Sequence, residues 1–576
     1  MLKELQPFPT PIAIVLSIIT LDKYWIEAEM YKCIILIMKK KNIFVALLIV
    51  IVLAGAVLYQ KGGSKTKAKG HVNASIGPEP ATIDPAKNID AYGAVYLQHM
   101  FEGLAKLDSN NQLVPGMAQS WDVSTDGLTY IFHLKEGAVW SDGKSLTAED
   151  FAYAWKRVLA PETASLYVDR LYFIKNAEKY NKGLVKADDV GVKALDSKTL
   201  QVTLEKPTPF FVSLTILNPY FPVRKDIIDQ KGDTWTQDPA TYISNGPYVL
   251  VAWNHNSSIE MKKNIYYYDA PKMKINTISW KLTSDDTSAL NAFETGELDF
   301  NAGFINTNEL PRLTSENKVR KVAALGVSYI IFNMQRAPFE NPKIRQALSL
   351  AIDRKELAEN VLRDGSVRAT GFIPFGLPSI GAGSDFRTDP EAKIYFSENA
   401  DLEGAKKILA EAGYPEGKGL REFEYYTSKN STNQKIAEYV QNQWAKIGVN
   451  IKINLLESKV FSEYRSQGKY DITKGSWGGD YYDPYTFLSA FLSDSPNNYG
   501  RWKNNDYDTY VNLSISSPDK NSQISNAHKA EDVLIGDLPI IPLSFLSQNA
   551  LVNPKLKGIY MNSLYMMMFT NAYWEN

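Results

Sequence analysis

The chain has 576 residues, 44% hydrophobic and 22% charged, with a formal net charge of -1, which is ordinary for a globular protein long enough to hold several packing units. The first 70 residues hold ten lysines and four acidic groups, so the remainder carries 53 basic against 60 acidic groups, a balance that argues against a nucleic-acid partner. The single cysteine, Cys33, excludes an intrachain disulfide and a thiolate metal cage.

Residues 1–37 include an apolar patch, Ile12 to Ile19, too short to span a bilayer. They read as an over-extended start, with Met38 as the true initiator. Lys39, Lys40 and Lys41 then precede an apolar run from Ile43 to Leu58, the pattern of a secretory signal. Ala54-Gly55-Ala56 offers a cleavage site, and an uncleaved anchor is the alternative. Either way, 38–58 is expected to export the rest of the chain and leave the lysines inside. Residues 59–70 form a linker of Gly, Lys and Ser, too polar to pack.

From Val72 onward the pattern mixes helix and strand. Leu128 to Leu134 reads as a strand between Gly-containing turns, and Leu200 to Leu204 alternates as a half-buried one. Thr147 is placed to cap a helix running through Phe151, Trp155 and Val158, with Asp150 at the third position. Asn341-Pro342 starts a helix carrying Ile344, Leu348 and Ile352, and Asp401 to Ala412 is helical up to the stop at Gly413. Ile436, Val440, Trp444 and Ile447 form one apolar stripe ended by Gly448, and a strand from Val449 to Leu455 comes next. Helix and strand at this short spacing indicate an α/β fold.

Enzyme signatures are missing: no G-x-S-x-G, H-E-x-x-H, Walker-A loop or G-x-G-x-x-G is present. The five histidines, His71, His99, His133, His255 and His528, are scattered without ligand spacing and read as surface or satisfied core residues. Asp126-Gly127 and Asp142-Gly143 read as tight turns, since neither has the further oxygens of a calcium loop. The expectation is a non-enzymatic protein without metal or cofactor.

An ordered series of segments says more. It runs through Glu79-Pro80-Ala81-Thr82-Ile83-Asp84-Pro85, Phe101-Glu102-Gly103-Leu104, Pro115-Gly116-Met117-Ala118-Gln119-Ser120-Trp121 and Trp140-Ser141-Asp142-Gly143. It continues with Thr147 to Arg157, Asn245-Gly246-Pro247-Tyr248, Gly296-Glu297-Leu298-Asp299, Ala337-Pro338-Phe339, Arg345 to Leu348 and Ala351 to Arg354. Together they resemble the family-5 solute-binding proteins, which include the oligopeptide- and dipeptide-binding proteins of bacterial ABC importers. The resemblance covers about 500 residues.

It implies a two-lobed periplasmic-binding-protein-like α/β fold of the class II type, with three domains drawn from a discontinuous chain. Domain I would take 71–101, 229–328 and 546–576, domain II 102–228, and domain III 329–545. A ligand would lie in the cleft between domains I and III, and a membrane permease would recognise the closed form. The expected ligands are short peptides, and the protein is expected to be monomeric. Rival readings keep the fold but change the ligand, to a dipeptide, a cell-wall or signalling peptide or a metal chelate, or make the protein a surface sensor or adhesin.

The run Trp477-Gly478-Gly479-Asp480-Tyr481-Tyr482-Asp483-Pro484-Tyr485-Thr486-Phe487-Leu488 resembles the family motif whose aspartate receives a peptide's α-ammonium. That aspartate would be Asp480, which suits a desolvated ammonium in need of a carboxylate. By the same resemblance Trp477 lines the pocket, Tyr481 adjoins it, and Lys474 lies toward the ligand's C-terminal side. Gly478 and Gly479 would let backbone approach the ligand. Where oligopeptide binders carry a second acidic group this chain has Ile89; by the resemblance either Asp90, one residue later, takes that ligand-binding role or the amine relies on Asp480 alone. A peptide would pair its backbone with strands, the candidates being Tyr329 to Asn333 and Lys474 to Trp477. Finally, Leu53-Ala54-Gly55 is followed by Ala56 rather than the lipidated cysteine of many relatives, so an acyl anchor is not expected there.

Overall fold

The computed structural model describes residues 70–576 apart from 109, 110, 304, 382 and 518. The expected signal or anchor at 38–58, Cys33 and the linker up to residue 69 lie outside the described residues. Among the described residues no helix is long and apolar enough to cross a membrane.

Four strands form the spine: β1 (His71–Gly77), β2 (Val319–Phe332), β3 (Ile472–Gly478) and β4 (Ile540–Val552). They belong to one eleven-stranded sheet. From one edge its order is Ile451–Leu456, Phe423–Ser428, β3, β2, β4, Phe300–Asn301, β1, Thr277–Leu282, Ser258–Lys263 and Tyr248–Asn254, with Val367–Arg368 also paired to β4.

β2 and β4 are unusually long, at 14 and 13 residues, and they run antiparallel side by side. Val319 to Ala323 pair with Leu551 to Ser547, and Val327 to Ile331 pair with Phe545 to Ile540. The register shifts twice, once between these stretches, from Ala323 to Val327, and again within the second, between Ser328 and Tyr329. Such irregularities break the ladder and sharpen the local twist.

The second half of β2 is a continuous apolar run because both of its faces are covered. Leu325, Val327, Tyr329 and Ile331 enter one core with Phe372, Phe487, Phe491 and Leu534. Ile330 and Phe332 point the other way, into a core with Phe339, Leu348, Val440 and Trp444. This is the two-residue period of a strand buried between helical layers.

A separate antiparallel sheet orders Ala118–Val123, Thr129–Leu134, Thr199–Thr203 and Val192–Ala194. The helix Ala148–Leu159 buries Phe151, Trp155 and Val158 in the adjoining core; each such side chain contributes about 1.5–3 kcal/mol. Its start is the expected one: the Asp150 carboxylate accepts from the Thr147 N–H at 2.8 Å and from its hydroxyl at 3.0 Å. Asp84, from the first of the motif segments, receives both terminal nitrogens of Arg157, at 2.9 and 2.6 Å. The pair is nearly buried, and Trp235 Nε1 donates to the same carboxylate at 3.3 Å.

Two helices run shorter than their apolar stripes. Pro342–Leu350 stops before Ile352, and Ser431–Ala445 stops before Ile447, although both side chains remain buried. Leu402–Glu411 is capped by Asp401, which accepts from Gly404 N–H at 2.8 Å. His528 departs from expectation: both ring nitrogens are buried without a hydrogen-bond partner, and the ring stacks on Phe386 at 3.9 Å.

Candidate functional site

The segment from Lys474 to Thr486 is built outward from β3. Along its whole length β3 pairs with β2, from Ile472 opposite Phe332 to Gly478 opposite Gly326. On its other edge it meets Phe423–Ser428 only at Ile472 and Thr473. Lys474 to Gly478 therefore keep one edge that no described strand covers. β2 has no such edge, because β3 lies on one side and β4 on the other. Of the two expected backbone-pairing stretches, Tyr329 to Asn333 is thus excluded by sheet order: its ladder positions are already filled, with Asn333 N–H donating to Asp471 O at 3.0 Å.

Past Gly478 the chain turns sharply. Gly479 N–H donates to Leu325 O at 2.7 Å, and a Cβ at Gly479 would lie 2.6 Å from Leu325 Cδ2. Packing of the core therefore requires glycine here. Gly478 is the more open of the two, since its nearest neighbours to a Cβ would be 4.0 Å away. Thr486 fixes the loop twice: its Oγ1 accepts from the Asp480 N–H at 3.0 Å, and its carbonyl accepts from Trp477 Nε1 at 2.7 Å. Trp477 is left half-buried, one flank packed on the core that holds Phe487.

The Asp480 carboxylate is engaged on both oxygens by residues some 310 positions earlier. Tyr167 Oη donates to Oδ1 at 2.9 Å, and Arg170 Nη2 pairs with Oδ2 at 2.8 Å. Burial and the Asp480 charge push the Tyr167 phenol up, so it stays a donor. Burial works against the Arg170 charge, but Asp480 and Asp169 outweigh it and raise that group. Close by, Tyr481 is buried with its ring stacked on Phe210 at 4.5 Å, and Tyr485 lies at 5.7 Å from the same ring. The expected pocket neighbour Tyr481 is covered by that contact rather than presented to a cleft.

Lys474 is half-buried and has no ion-pair partner among the described residues. Desolvation, together with the nearby Arg465 charge, lowers its ammonium to about 8. The Arg465 guanidinium lies over the Tyr499 and Phe461 rings, at 4.4 and 5.1 Å, with its Nε buried and without a hydrogen bond. Two cations that have no acidic partner among the described residues thus stand at one end of the open edge, and a carboxylate stands at the other.

Asp90 has a different task. It caps the helix Ala91–Met100, accepting from the Gly93 N–H at 2.5 Å, from Asn88 Nδ2 at 3.1 Å and from the Ala81 N–H at 3.2 Å. Both its oxygens are used locally, which favours an amine that relies on Asp480 alone over Asp90 in the place of a second ligand carboxylate. A cavity of about 290 Å³ opens elsewhere, among Phe101, Glu102, Tyr267 and Met566, and none of the six expected ligand residues lines it.

Tyr167, Arg170, Phe210 and Arg465 were not anticipated from the sequence. The first three belong to a region with no sequence link to the Asp480 motif. Arg465 lies nine residues before Lys474 on the helix Ser458–Ser466, where a lone arginine gives no signal.

Comparison with known proteins agrees with this architecture. Residues 112–499 match the model of the bacterial extracellular solute-binding proteins, family 5. The oligopeptide-binding protein OppA of Bacillus subtilis is 32% identical over 524 residues, covering 89% of this chain and 94% of its own. The solved oligopeptide ABC transporter substrate-binding domain of Bacillus anthracis superposes with a TM-score of 0.74 at 30% identity, over 88% of this chain and 99% of that one. Haemophilus influenzae OppA in complex with the peptide RPPGFSPFR gives 0.73 at 29% identity, over 88% and 100%. Taken with the long sheet and the Asp480 loop, these matches show that the chain belongs to the bacterial extracellular solute-binding proteins, family 5.

Proposed function

We propose that this protein captures short peptides in a cleft between two lobes, outside the cytoplasmic membrane, and hands them to the membrane permease of an ABC importer. The observation that carries this reading is the charge order along one open strand edge: the Asp480 carboxylate at one end, Lys474 and Arg465 at the other. A zwitterionic peptide laid antiparallel to β3 would set its ammonium toward Asp480 and its carboxylate toward Lys474. Backbone pairing along Lys474 to Gly478 would hold it without regard to side chains. Four strand rises of about 3.3 Å give roughly 13 Å, the length of about four extended residues.

In this reading the lobes are assembled from domains I, II and III, and the register shifts in β2 and β4 mark the hinge. Trp477 walls the pocket and Thr486 positions Asp480. The segment 38–58 exports the protein, which is then held by an uncleaved helix or released after cleavage, and it meets its permease as a monomer. The resemblance to the oligopeptide-binding protein OppA of Bacillus subtilis supports a peptide as ligand, and that to the oligopeptide ABC transporter substrate-binding domain of Bacillus anthracis supports transport as the purpose.

Calorimetry on Asp480→Ala tests the ligand assignment. The variant should lose at least tenfold in affinity for a free-amine peptide, about 1.4 kcal/mol, and little for the same peptide N-acetylated. Equal losses for both peptides would remove Asp480 from the amine-binding role.

A further inference from the structure

We propose that Arg170 is a specificity-determining residue of the Asp480 subsite: its guanidinium competes with a peptide ammonium for the same carboxylate, and so it sets how strongly the protein favours free over blocked N-termini. This inference rests on Asp480 being the amine-binding group.

The geometry carries it in three steps. First, Arg170 Nη2 lies 2.8 Å from Asp480 Oδ2 while Tyr167 holds Oδ1, so the single negative charge is already neutralised from within the chain. The two partners are each about one-fifth exposed, at 21% and 19%, so the pair is screened less than a surface one. An incoming ammonium gains the attraction of Asp480 only by the amount that it exceeds what Arg170 gives up.

Second, Arg170 has somewhere to go. Its Nη1 already lies 3.2 Å from Asp169, a carboxylate that is 55% exposed. Its guanidinium also rests over the Tyr167 ring at 5.1 Å. Arg170 can therefore yield Asp480 and keep a partner, though a better-solvated and weaker one. Displacement is reversible and unfavourable, as competition requires.

Third, an N-blocked peptide has no cation to offer and leaves the Arg170–Asp480 pair in place. A guanidinium that stays also supplies a donor fork to a neutral acyl oxygen. Arg170 thus narrows the gap between free and blocked peptides. The same contact joins residues 167–170 to the Asp480 loop beside the Phe210–Tyr481 stack, so it also favours lobe closure before a ligand arrives. That closure reduces apparent affinity in proportion to the closed fraction.

The test uses the full-length protein stripped of ligand by denaturation and refolding. The probes are alanine tri- to pentapeptides and their N-acetyl counterparts, measured by calorimetry on the wild type, Arg170→Gln, Arg170→Lys and Asp480→Ala. Arg170→Gln should raise the affinity for free-amine over acetylated peptides about tenfold, whereas Arg170→Lys, which keeps the charge, should leave that ratio within about threefold of the wild type's. If the Asp480→Ala substitution costs the free-amine peptides more than the acetylated ones but Arg170→Gln does not raise the free-over-acetylated ratio, the role of Arg170 is overturned. If the Asp480→Ala substitution costs both classes equally, the amine assignment itself fails. Small-angle scattering on the stripped proteins decides independently of peptide affinity. Arg170→Gln and Asp480→Asn should both show a larger radius of gyration than the wild type, and an unchanged radius in both overturns the closure contact.

Discussion

Replacing Lys474 by methionine should make the protein more stable while loosening its hold on a peptide carboxylate. The lysine is half-buried on β3 beside Arg465 without an acidic partner, and its ammonium is lowered from 10.5 to about 8. At 1.36 kcal/mol per unit, that drop corresponds to about 3 kcal/mol as an upper bound; partial exposure screens the charge and brings the expected gain for Lys474→Met to about 1–2 kcal/mol. The sign comes from proton counts: between pH 8 and 10.5 the unfolded chain holds the proton and the folded protein does not, so the wild type gains stability as pH rises through that window. Lys474→Met should be the more stable protein at pH 7, with the difference shrinking toward pH 10. Calorimetric melting at the two pH values measures this. In binding, Lys474→Met should lose about tenfold for a peptide with a free carboxylate and little for its C-terminal amide. The amide shares the α-ammonium and so controls for its titration. A lower melting point at pH 7, or equal losses for acid and amide, would refute the reasoning.

Two further predictions concern what holds the site in place. Glu531 is fully buried, pairs with Arg387, and accepts from the N–H groups of Phe372 and Ile373 at 2.8 and 2.9 Å; Glu531→Ala should cost about 3–5 kcal/mol in urea unfolding because it strands a buried guanidinium, and a loss below about 1 kcal/mol would contradict the ion-pair role. Gly479→Ala should cost about 1–3 kcal/mol through the clash with Leu325, and adding Leu325→Ala should recover part of the loss specific to Gly479→Ala in a double-mutant cycle; strictly additive losses would place the strain elsewhere.

The features legible in the sequence were those set by neighbours along the chain. Thr147 with Asp150 is a cap read from the sequence, and the helix starts read at Asn341-Pro342 and Asp401 prove to be caps as well; each is completed within four residues. The family resemblance supplied the fold, since it rests on many ordered segments. The sheet order was not legible: β2 joins β3 and β4, strands about 150 and 220 residues further on, and nothing local marks which edges are filled. That is why Tyr329 to Asn333 could be taken for a ligand-pairing strand. Asp90 shows the opposite failure. Its place just before a helix is an ordinary N-cap signal, but the count from the Asp84-Pro85 motif fell on Ile89 and left Asp90, one residue on, as the candidate stand-in. The partners of Asp480 come from Tyr167 and Arg170 through tertiary folding alone, which no local pattern announces.

The central claim is most directly tested by mass spectrometry of whatever the protein carries when purified without refolding and then denatured. The account predicts a mixture of short peptides of varied sequence, clustered near four residues and more abundant from the wild type than from Asp480→Ala. Release of no peptide, or of a single non-peptide compound, would contradict it.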